Sequence, residues 1–344
     1  MLRVPSMRVQ KAPLSLKIPA NERPGSLADS WAAAARPGRA KDQTMRVFVT
    51  GATGFIGSAI VHELIGAGHS VLGLARSDAS AKSLAAAGAD PHRGSLDDLA
   101  SLRAGAAASD GVIHTAFIHD FSNIAASAVK DKLAIDAIGA ALADSGKPFA
   151  VTSAIGLLTP GRVGAEADSP DPNAAGAHRI ASERAALALA SRDVRVSVIR
   201  LPPSVHGVGD HGFVPGVIRI AREKGVSAYI GEGRNRWSTV HRLDAARLFR
   251  LALEKGSAGS TFHGIAEEGV MTREIAEVIG RRLNVPVVSK SPDEAAAHFG
   301  WLARFFASDM PASSAQTQEQ LGWRPRQPGL IADLDDGRYF EDGR

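Results

Sequence analysis

The 344-residue chain contains no cysteine. That excludes disulfides, thiolate metal sites and cysteine nucleophiles; it fits a reducing compartment, and a cytoplasmic protein is the expectation. Tyrosine is nearly absent, with only Tyr229 and Tyr339, and aromatic residues make up 5% of the chain. Few side chains are therefore available as a phenolic acid or base. No run approaches the ~18 consecutive apolar residues of a membrane span, so no membrane crossing is expected. Basic charge is missing where a nucleic-acid binder would need it. The sequence pI is near 9.5, yet residues 1–44 carry eight Lys or Arg against three acids, which leaves the other 300 residues at −1. The charge argument for nucleic acid therefore fails.

Hydrophobic content of 44% and charged content of 22% are those of an ordinary soluble globular enzyme. Residues 1–44 are rich in Pro, Arg and Ala and lack a sustained apolar period, which predicts a disordered extension. Three readings of it stay open: a translation start placed upstream of Met45, an organellar transit peptide, and a polybasic arm. Prolines at 5, 13, 19 and 24 oppose the amphipathic helix a transit peptide needs.

The richest stretch is Val47-Phe48-Val49-Thr50-Gly51-Ala52-Thr53-Gly54-Phe55-Ile56-Gly57. A short β-branched run feeds three glycines, and apolar residues at helical spacing follow (Ile60, Val61, Leu64, Ile65). Strand, glycine turn and helix in that order suit a nucleotide pyrophosphate: backbone N–H groups approach the phosphates, and the helix N-terminus supplies partial positive charge. The bland alternative is a buried βα turn. Downstream, strands are predicted at 46–50, 69–75, 90–93, 111–115, 149–152 and 195–201. Helices are predicted at 57–67, 79–87, 99–104, 124–145 and 178–191. This spacing predicts an α/β fold with a doubly wound parallel Rossmann-type sheet. Pro202 and Pro203 stop the sixth strand, and a helix over 272–283, capped by Thr272, stands out beyond. A single domain is expected over 45–344, with a core of 45–201 plus 241–265. A smaller C-terminal lobe, mainly 202–240 and 266–335, would sit over the sheet edge and hold a small-molecule substrate.

The residue ending the second strand reads the adenosine ribose: an acid binds the hydroxyls of NAD, and an arginine accommodates the 2′-phosphate of NADP. Here the chain has Leu74-Ala75-Arg76-Ser77, with Asp78 the nearest acid. Arg76 and Ser77 predict NADP(H), with NAD(H) the second choice; the alternative for Arg76 is a solvated side chain.

From Met45 onward the chain resembles the extended short-chain dehydrogenase/reductases, the NAD(P)-dependent epimerase/dehydratase family. Five segments carry the resemblance in register: Thr50 to Gly57, Gly94-Ser95-Leu96-Asp97, Arg200-Leu201-Pro202-Pro203-Ser204-Val205-His206-Gly207, Val240-His241-Arg242-Leu243-Asp244, and Leu321-Gly322-Trp323-Arg324-Pro325. The resemblance implies that Gly51, Thr53, Gly54, Phe55, Ile56 and Gly57 hold the pyrophosphate. By the same resemblance Ser95 and Leu96 flank the adenine, Thr115, Ala116 and Phe117 border the inner ribose, and Pro202 and Val205 approach the nicotinamide. For Pro202 and Val205, a strand stop and core packing are the alternative.

One part of the family pattern is missing. Members usually carry a Ser, a Tyr and a Lys, with Tyr-x-x-x-Lys on the helix after the fifth strand. The helix here reads Ala177-His178-Arg179-Ile180-Ala181-Ser182-Glu183-Arg184, which puts Arg179 at the Tyr position and Glu183 at the Lys position. Thr152-Ser153-Ala154 places alanine at the catalytic Ser, and a one-residue slip would restore Ser153. Glu183 is expected to bond the nicotinamide ribose and Arg179 to position a carbonyl or anionic substrate; the alternative is a surface salt bridge between the two. His178 is the candidate proton carrier, or else a packing histidine. His114, His119, His206 and His241 fall in segments that converge on the crevice, but none shares a tight ligand spacing with another, so no metal is expected. The leading expectation is an atypical NADP(H)-dependent oxidoreductase acting on a small carbonyl or alcohol. A catalytically reduced NADP(H)-binding sensor or regulatory protein is the alternative, and a sugar-nucleotide epimerase or dehydratase is third.

Overall fold

The structure, a computed structural model, describes residues 44–341. The expectations for the extension lie outside that range, apart from Thr44. The chain runs β1(Arg46–Thr50), α1(Phe55–Gly66), β2(Ser70–Ala75), α2(Asp78–Ala86), β3(Asp90–Arg93), α3(Leu99–Ala107), β4(Gly111–His114), α4(Ile124–Leu142), β5(Pro148–Ala154), α5(Ile180–Ala188) and β6(Arg195–Leu201). It continues β7(Ser204–His206), α6(Phe213–Lys224), β8(Ser227–Ile230), β9(Arg236–His241), α7(Arg242–Lys255), β10(Ser260–His263), β11(Glu267–Met271), α8(Thr272–Leu283), β12(Val287–Lys290), α9(Pro292–Phe299), α10(Ala303–Phe306), α11(Ala315–Leu321) and α12(Leu330–Asp335).

The main sheet has the order β10-β6-β5-β4-β1-β2-β3, and every pairing in it is parallel. This is the Rossmann-type sheet expected from the alternation. Period-2 side-chain direction builds both of its faces from one strand. Val47 and Val49 of β1 pack with Ile60 and Leu64 of α1 and Phe249 of α7. Phe48 between them packs with Leu102 of α3 and Ile135 and Ile138 of α4. All of these side chains are fully buried. Strand order reverses between β1 and β4, and in such sheets the ligand crevice opens at the carboxyl ends of the strands flanking that reversal.

A third core belongs to the lobe, where α6, α8, α9 and α10 enclose Trp237, Ile275, Phe299 and Phe306. Two small sheets support it, β11-β9-β7 and β12-β8. Between them the chain returns to the main sheet, with α7 against α1 and β10 pairing parallel to β6. Helix α8 begins at the expected residue, but its cap is different. Met271 is the N-cap, and its backbone N–H donates to the Glu274 carboxylate at 3.0 Å. Thr272 is already inside the helix and fully buried, and its hydroxyl donates to Asn235 Oδ1 at 2.7 Å. A buried hydroxyl is held by whatever acceptor lies beside it, and here that acceptor is on another segment. Among the described residues no helix is long and apolar enough to cross a membrane.

Candidate functional site

The turn after β1 is built so tightly that two of its positions demand glycine. Gly51 has φ +69°, and a Cβ there would lie 2.8 Å from both Ala116 N and Thr115 Oγ1. The turn is thus pressed against the end of β4, at the reversal of strand order. At Gly57 a Cβ would sit 2.0 Å from the Gly51 carbonyl oxygen. Removing both side chains lets α1 start directly against the turn. Gly54 is its N-cap and offers no side-chain acceptor, so the first-turn N–H groups point out unspent, apart from contacts outside the helix. Thr53 and Gly54 are exposed and Phe55 and Ile56 half-buried on the rim. The Arg242 guanidinium lies 4.9 Å over the Phe55 ring and donates to Ser58 Oγ at 3.3 Å.

The other residues expected at a dinucleotide fall along the same carboxyl edge. Arg76 and Ser77 follow β2, both exposed, and the Ser77 hydroxyl caps α2 by accepting from Ser80 N at 3.2 Å. Asp78 is the first residue of α2 and pairs with Arg93. Ser95 and Leu96 follow β3, and Thr115, Ala116 and Phe117 follow β4, all half-buried. Pro202 is buried at the end of β6, and Val205 lies in β7 opposite Val240.

Behind this edge two buried charge systems replace the expected Arg179–Glu183 pair. Glu183 turns toward β6 and accepts from Arg200 Nη2 at 2.6 Å, Arg200 Nε at 3.2 Å and Ser153 Oγ at 2.6 Å. It is 2% exposed. Neither a ribose contact nor a surface salt bridge fits this carboxylate, because its oxygens are spent inside the protein. Ser153 is likewise buried and supports the ion pair rather than lining the crevice. Arg200 continues to the Asp168 carbonyl at 3.0 Å and to His263 Nε2 at 3.5 Å.

Arg179 turns the other way, toward β4 and α4. Its Nη1 lies 3.8 Å from Asp131 Oδ2, its Nη2 donates to the Thr152 carbonyl at 2.5 Å, and its guanidinium lies 4.1 Å over the Phe117 ring. Asp131 accepts from His114 Nε2 at 3.1 Å, and His114 Nδ1 lies 2.7 Å from the Thr50 hydroxyl. A carboxylate only accepts, so His114 carries its proton on Nε2 and Thr50 donates to Nδ1. Burial works against the Asp131 carboxylate, but the bond from His114 and the Arg179 charge outweigh it and hold its pKa below the usual range. Arg179 Nε and Asp131 Oδ2 are buried without a hydrogen-bond partner. An unpaired buried polar group costs about 1–3 kcal/mol.

His178 is half-buried beside this system, with its ring 6.2 Å from Phe117. Burial and then the Arg179 charge lower its pKa. His119 packs edge-on to Phe117 at 5.1 Å, and the same two causes act on it in the same order. His206 and His241 do meet, edge to face at 5.3 Å, but His206 Nδ1 is taken up by Asp333 at 2.9 Å. Asp131, the acid facing Arg179, was not foreseen: it lies inside the alanine-rich α4, where nothing marks one acid as inward-facing. The ring contacts of Phe121 with Phe213 and Trp301, at 5.9 and 4.6 Å, were not foreseen either, the three residues being isolated in sequence on different segments.

Comparison with known proteins agrees with this architecture. The family model described as NAD dependent epimerase/dehydratase family matches residues 47–265. The chain is 51% identical over 298 residues to the Schizosaccharomyces pombe protein C2A9.02, itself described as uncharacterized, covering 86% of this chain and 100% of that one. It is 32% identical to a Dictyostelium discoideum sterol-4-alpha-carboxylate 3-dehydrogenase, decarboxylating, over 66% of this chain and 73% of that one. Among solved structures it resembles DesIV, a dTDP-glucose 4,6-dehydratase from Streptomyces venezuelae with NAD and TYD bound. The TM-score is 0.70 at 20% identity, covering 87% of this chain and 98% of that one. That last likeness is one of fold.

Proposed function

Since the chain belongs to the NAD dependent epimerase/dehydratase family, we propose that it is an oxidoreductase that binds a nicotinamide dinucleotide, NADP(H) ahead of NAD(H). Its substrate in this reading is a small carbonyl compound or the corresponding alcohol. The observation that carries the reading is the Gly51–Gly57 turn, so tight that a methyl group at Gly51 or Gly57 would strike the protein's own backbone, which brings the N-terminus of α1 directly against the end of β1. Such a turn offers backbone N–H groups and the positive end of a helix, which suit a pyrophosphate in sign. The dehydrogenase named among the relatives and the NAD in the DesIV structure support the same class. Arg76, exposed and without an ion-pair partner among the described residues, supports a 2′-phosphate.

When bound, a reduced nicotinamide supplies a hydride for the carbonyl carbon. The chain must then orient the substrate and bring a proton to its oxygen. Arg179 keeps its charge and does not act as an acid. Its guanidinium, buried over the Phe117 ring, favours the developing oxyanion through its charge. His178 delivers the proton, which it recovers from solvent. Because its pKa is lowered, the protonated form is a strong donor but is populated only on the acid side of 6.5. Reduction is therefore expected to accelerate as pH falls through that lowered pKa, and His178→Gln should remove this limb.

The test is NADPH oxidation over a panel of carbonyl compounds with the wild type, Arg179→Leu and His178→Gln. Arg179→Leu should lower kcat, because the positive charge that favours the oxyanion is lost. Turnover unchanged in both variants would sink the site assignment. The second reading, a cofactor-binding sensor, is favoured by the side chains at the Tyr and Lys positions, each buried and held by partners inside the protein. Tight NADPH binding with no turnover across the panel would select it.

A further inference from the structure

Resting on the carbonyl-reductase reading above, we propose that the substrate is a short keto acid whose carboxylate is held by His119 and His178 beside the reacting carbonyl. Phe117 follows Ala116, the residue against which the Gly51 turn is pressed, so its surroundings border the cofactor turn. Three groups able to carry positive charge gather around its ring. The Arg179 guanidinium lies 4.1 Å over the face, His119 meets the ring edge-on at 5.1 Å, and His178 lies 6.2 Å away. A third histidine, His211, belongs to the loop before α6 and packs edge-on to Phe55, the first residue of α1, at 5.8 Å. Loops after β4, before α5 and before α6 thus each bring a histidine to the region around the glycine turn.

No acid answers this cluster. The histidines that pair with a carboxylate among the described residues are three others, His69, His114 and His206. Asp131 is committed to His114 and Arg179. Asp120, next to His119, turns its carboxylate to the backbone and hydroxyl of Ser122. Asp210, next to His211, accepts from Gly212 N at 2.7 Å and from the Tyr339 hydroxyl at 3.1 Å. His119 is exposed yet ringed by protein, as a side chain in a crevice wall is, and His178 is half-buried, so both keep surface that a ligand can reach. Burial and the Arg179 charge hold both imidazoles neutral near pH 7; the His211 charge adds to this at His119, and Asp131 opposes it at His178. An entering carboxylate reverses the balance, because an opposite charge nearby favours the protonated imidazole. Binding then takes up a proton, and the substrate itself populates the His178 acid that reduction needs. A carboxylate also supplies two acceptor oxygens for two imidazole N–H groups, whereas a neutral amide of the same shape brings no charge.

The experiment measures binding of 2-ketobutyrate and acetoacetate, each beside its neutral amide, by calorimetry on the full chain in excess NADP+, where no ketone is reduced. The two acids differ in the spacing of carbonyl and carboxylate, and at least one should bind about tenfold tighter than its amide. Titration near pH 7 in two buffers of different ionisation enthalpy should show uptake of about one proton with that acid and none with the amide. His119→Gln and His178→Gln should each weaken acid binding and reduce the proton uptake, while NADPH affinity in His119→Gln stays that of the wild type. No binding of either acid, equal affinity for acid and amide in both pairs, acid binding without proton uptake, or a preference unchanged in both variants overturns the proposal. Dihydroxyacetone phosphate binding more tightly than either acid overturns it too, in favour of a phosphorylated substrate. NADPH failing to bind the wild-type protein refutes the oxidoreductase reading instead, so the two failures are distinguishable.

Discussion

Glu183 and Arg179 stand four residues apart, and the consequences of their spacing differ from what a helical wheel suggests. On an isolated helix they would form an exposed pair of a few tenths of a kcal/mol. Here each is drawn to a different strand or helix, Glu183 to Arg200 of β6 and Arg179 to Asp131 of α4. Removing one partner of a buried pair leaves the other charge uncompensated. Glu183→Gln is therefore expected to destabilise the protein by about 3–5 kcal/mol, read by chemical denaturation. A loss near that of a surface pair would show that Arg200 finds other acceptors. The sequence displayed both residues and their helical spacing. It did not display their partners, because contacts 17 or 48 positions away depend on how strands order in the sheet. The chemical oddity of the site, arginine and glutamate where tyrosine and lysine are usual, was legible; the burial that decides what they do was not.

At the scale of elements, the first βα unit was readable because every requirement is local. The β-branched run makes β1, and the glycine spacing makes the turn. Gly57→Ala would force its methyl to 2.0 Å from a backbone carbonyl that has no freedom to retreat. We expect it to abolish NADPH binding while far-ultraviolet circular dichroism stays close to wild type; unchanged NADPH affinity would show that the turn does not hold the cofactor. The start of α8 is the opposite case. Thr272 has the chemistry of a cap, but tertiary contact overrides that preference and ties its hydroxyl to Asn235. Thr272→Ala should cost about 1–3 kcal/mol through the acceptor left behind, whereas loss of a cap alone is ~1 kcal/mol. The ring contacts of Phe121 were illegible for the same reason as the ion pairs: no local pattern links it to Phe213 or Trp301.

Across the whole molecule, the main sheet and the lobe are tied through the buried system around Arg200. His263 of β10 donates from Nδ1 to the Ser313 carbonyl at 2.8 Å and faces Arg200 with Nε2 at 3.5 Å. Burial, and then the Arg200 charge, depress its pKa below 6.5, although the Ser313 bond opposes this. A histidine that is neutral when folded and protonates when unfolded makes the unfolded state the stronger proton binder in that window. Its contribution is present above pH 6.5 and is lost as pH falls toward the depressed value. Denaturation free energy should therefore decline on acidification below pH 6.5, and His263→Gln should flatten that decline. A slope identical in the variant would remove His263 as its source.

The central claim is that the turn after β1 holds a nicotinamide dinucleotide whose 2′-phosphate is read by Arg76. Fluorescence titration with NADPH and NADH tests it most directly. The account predicts saturable binding of both, with NADPH tighter in the wild type and the difference lost in Arg76→Ala. Absence of saturable NADPH binding, or NADH binding more tightly than NADPH, would contradict it.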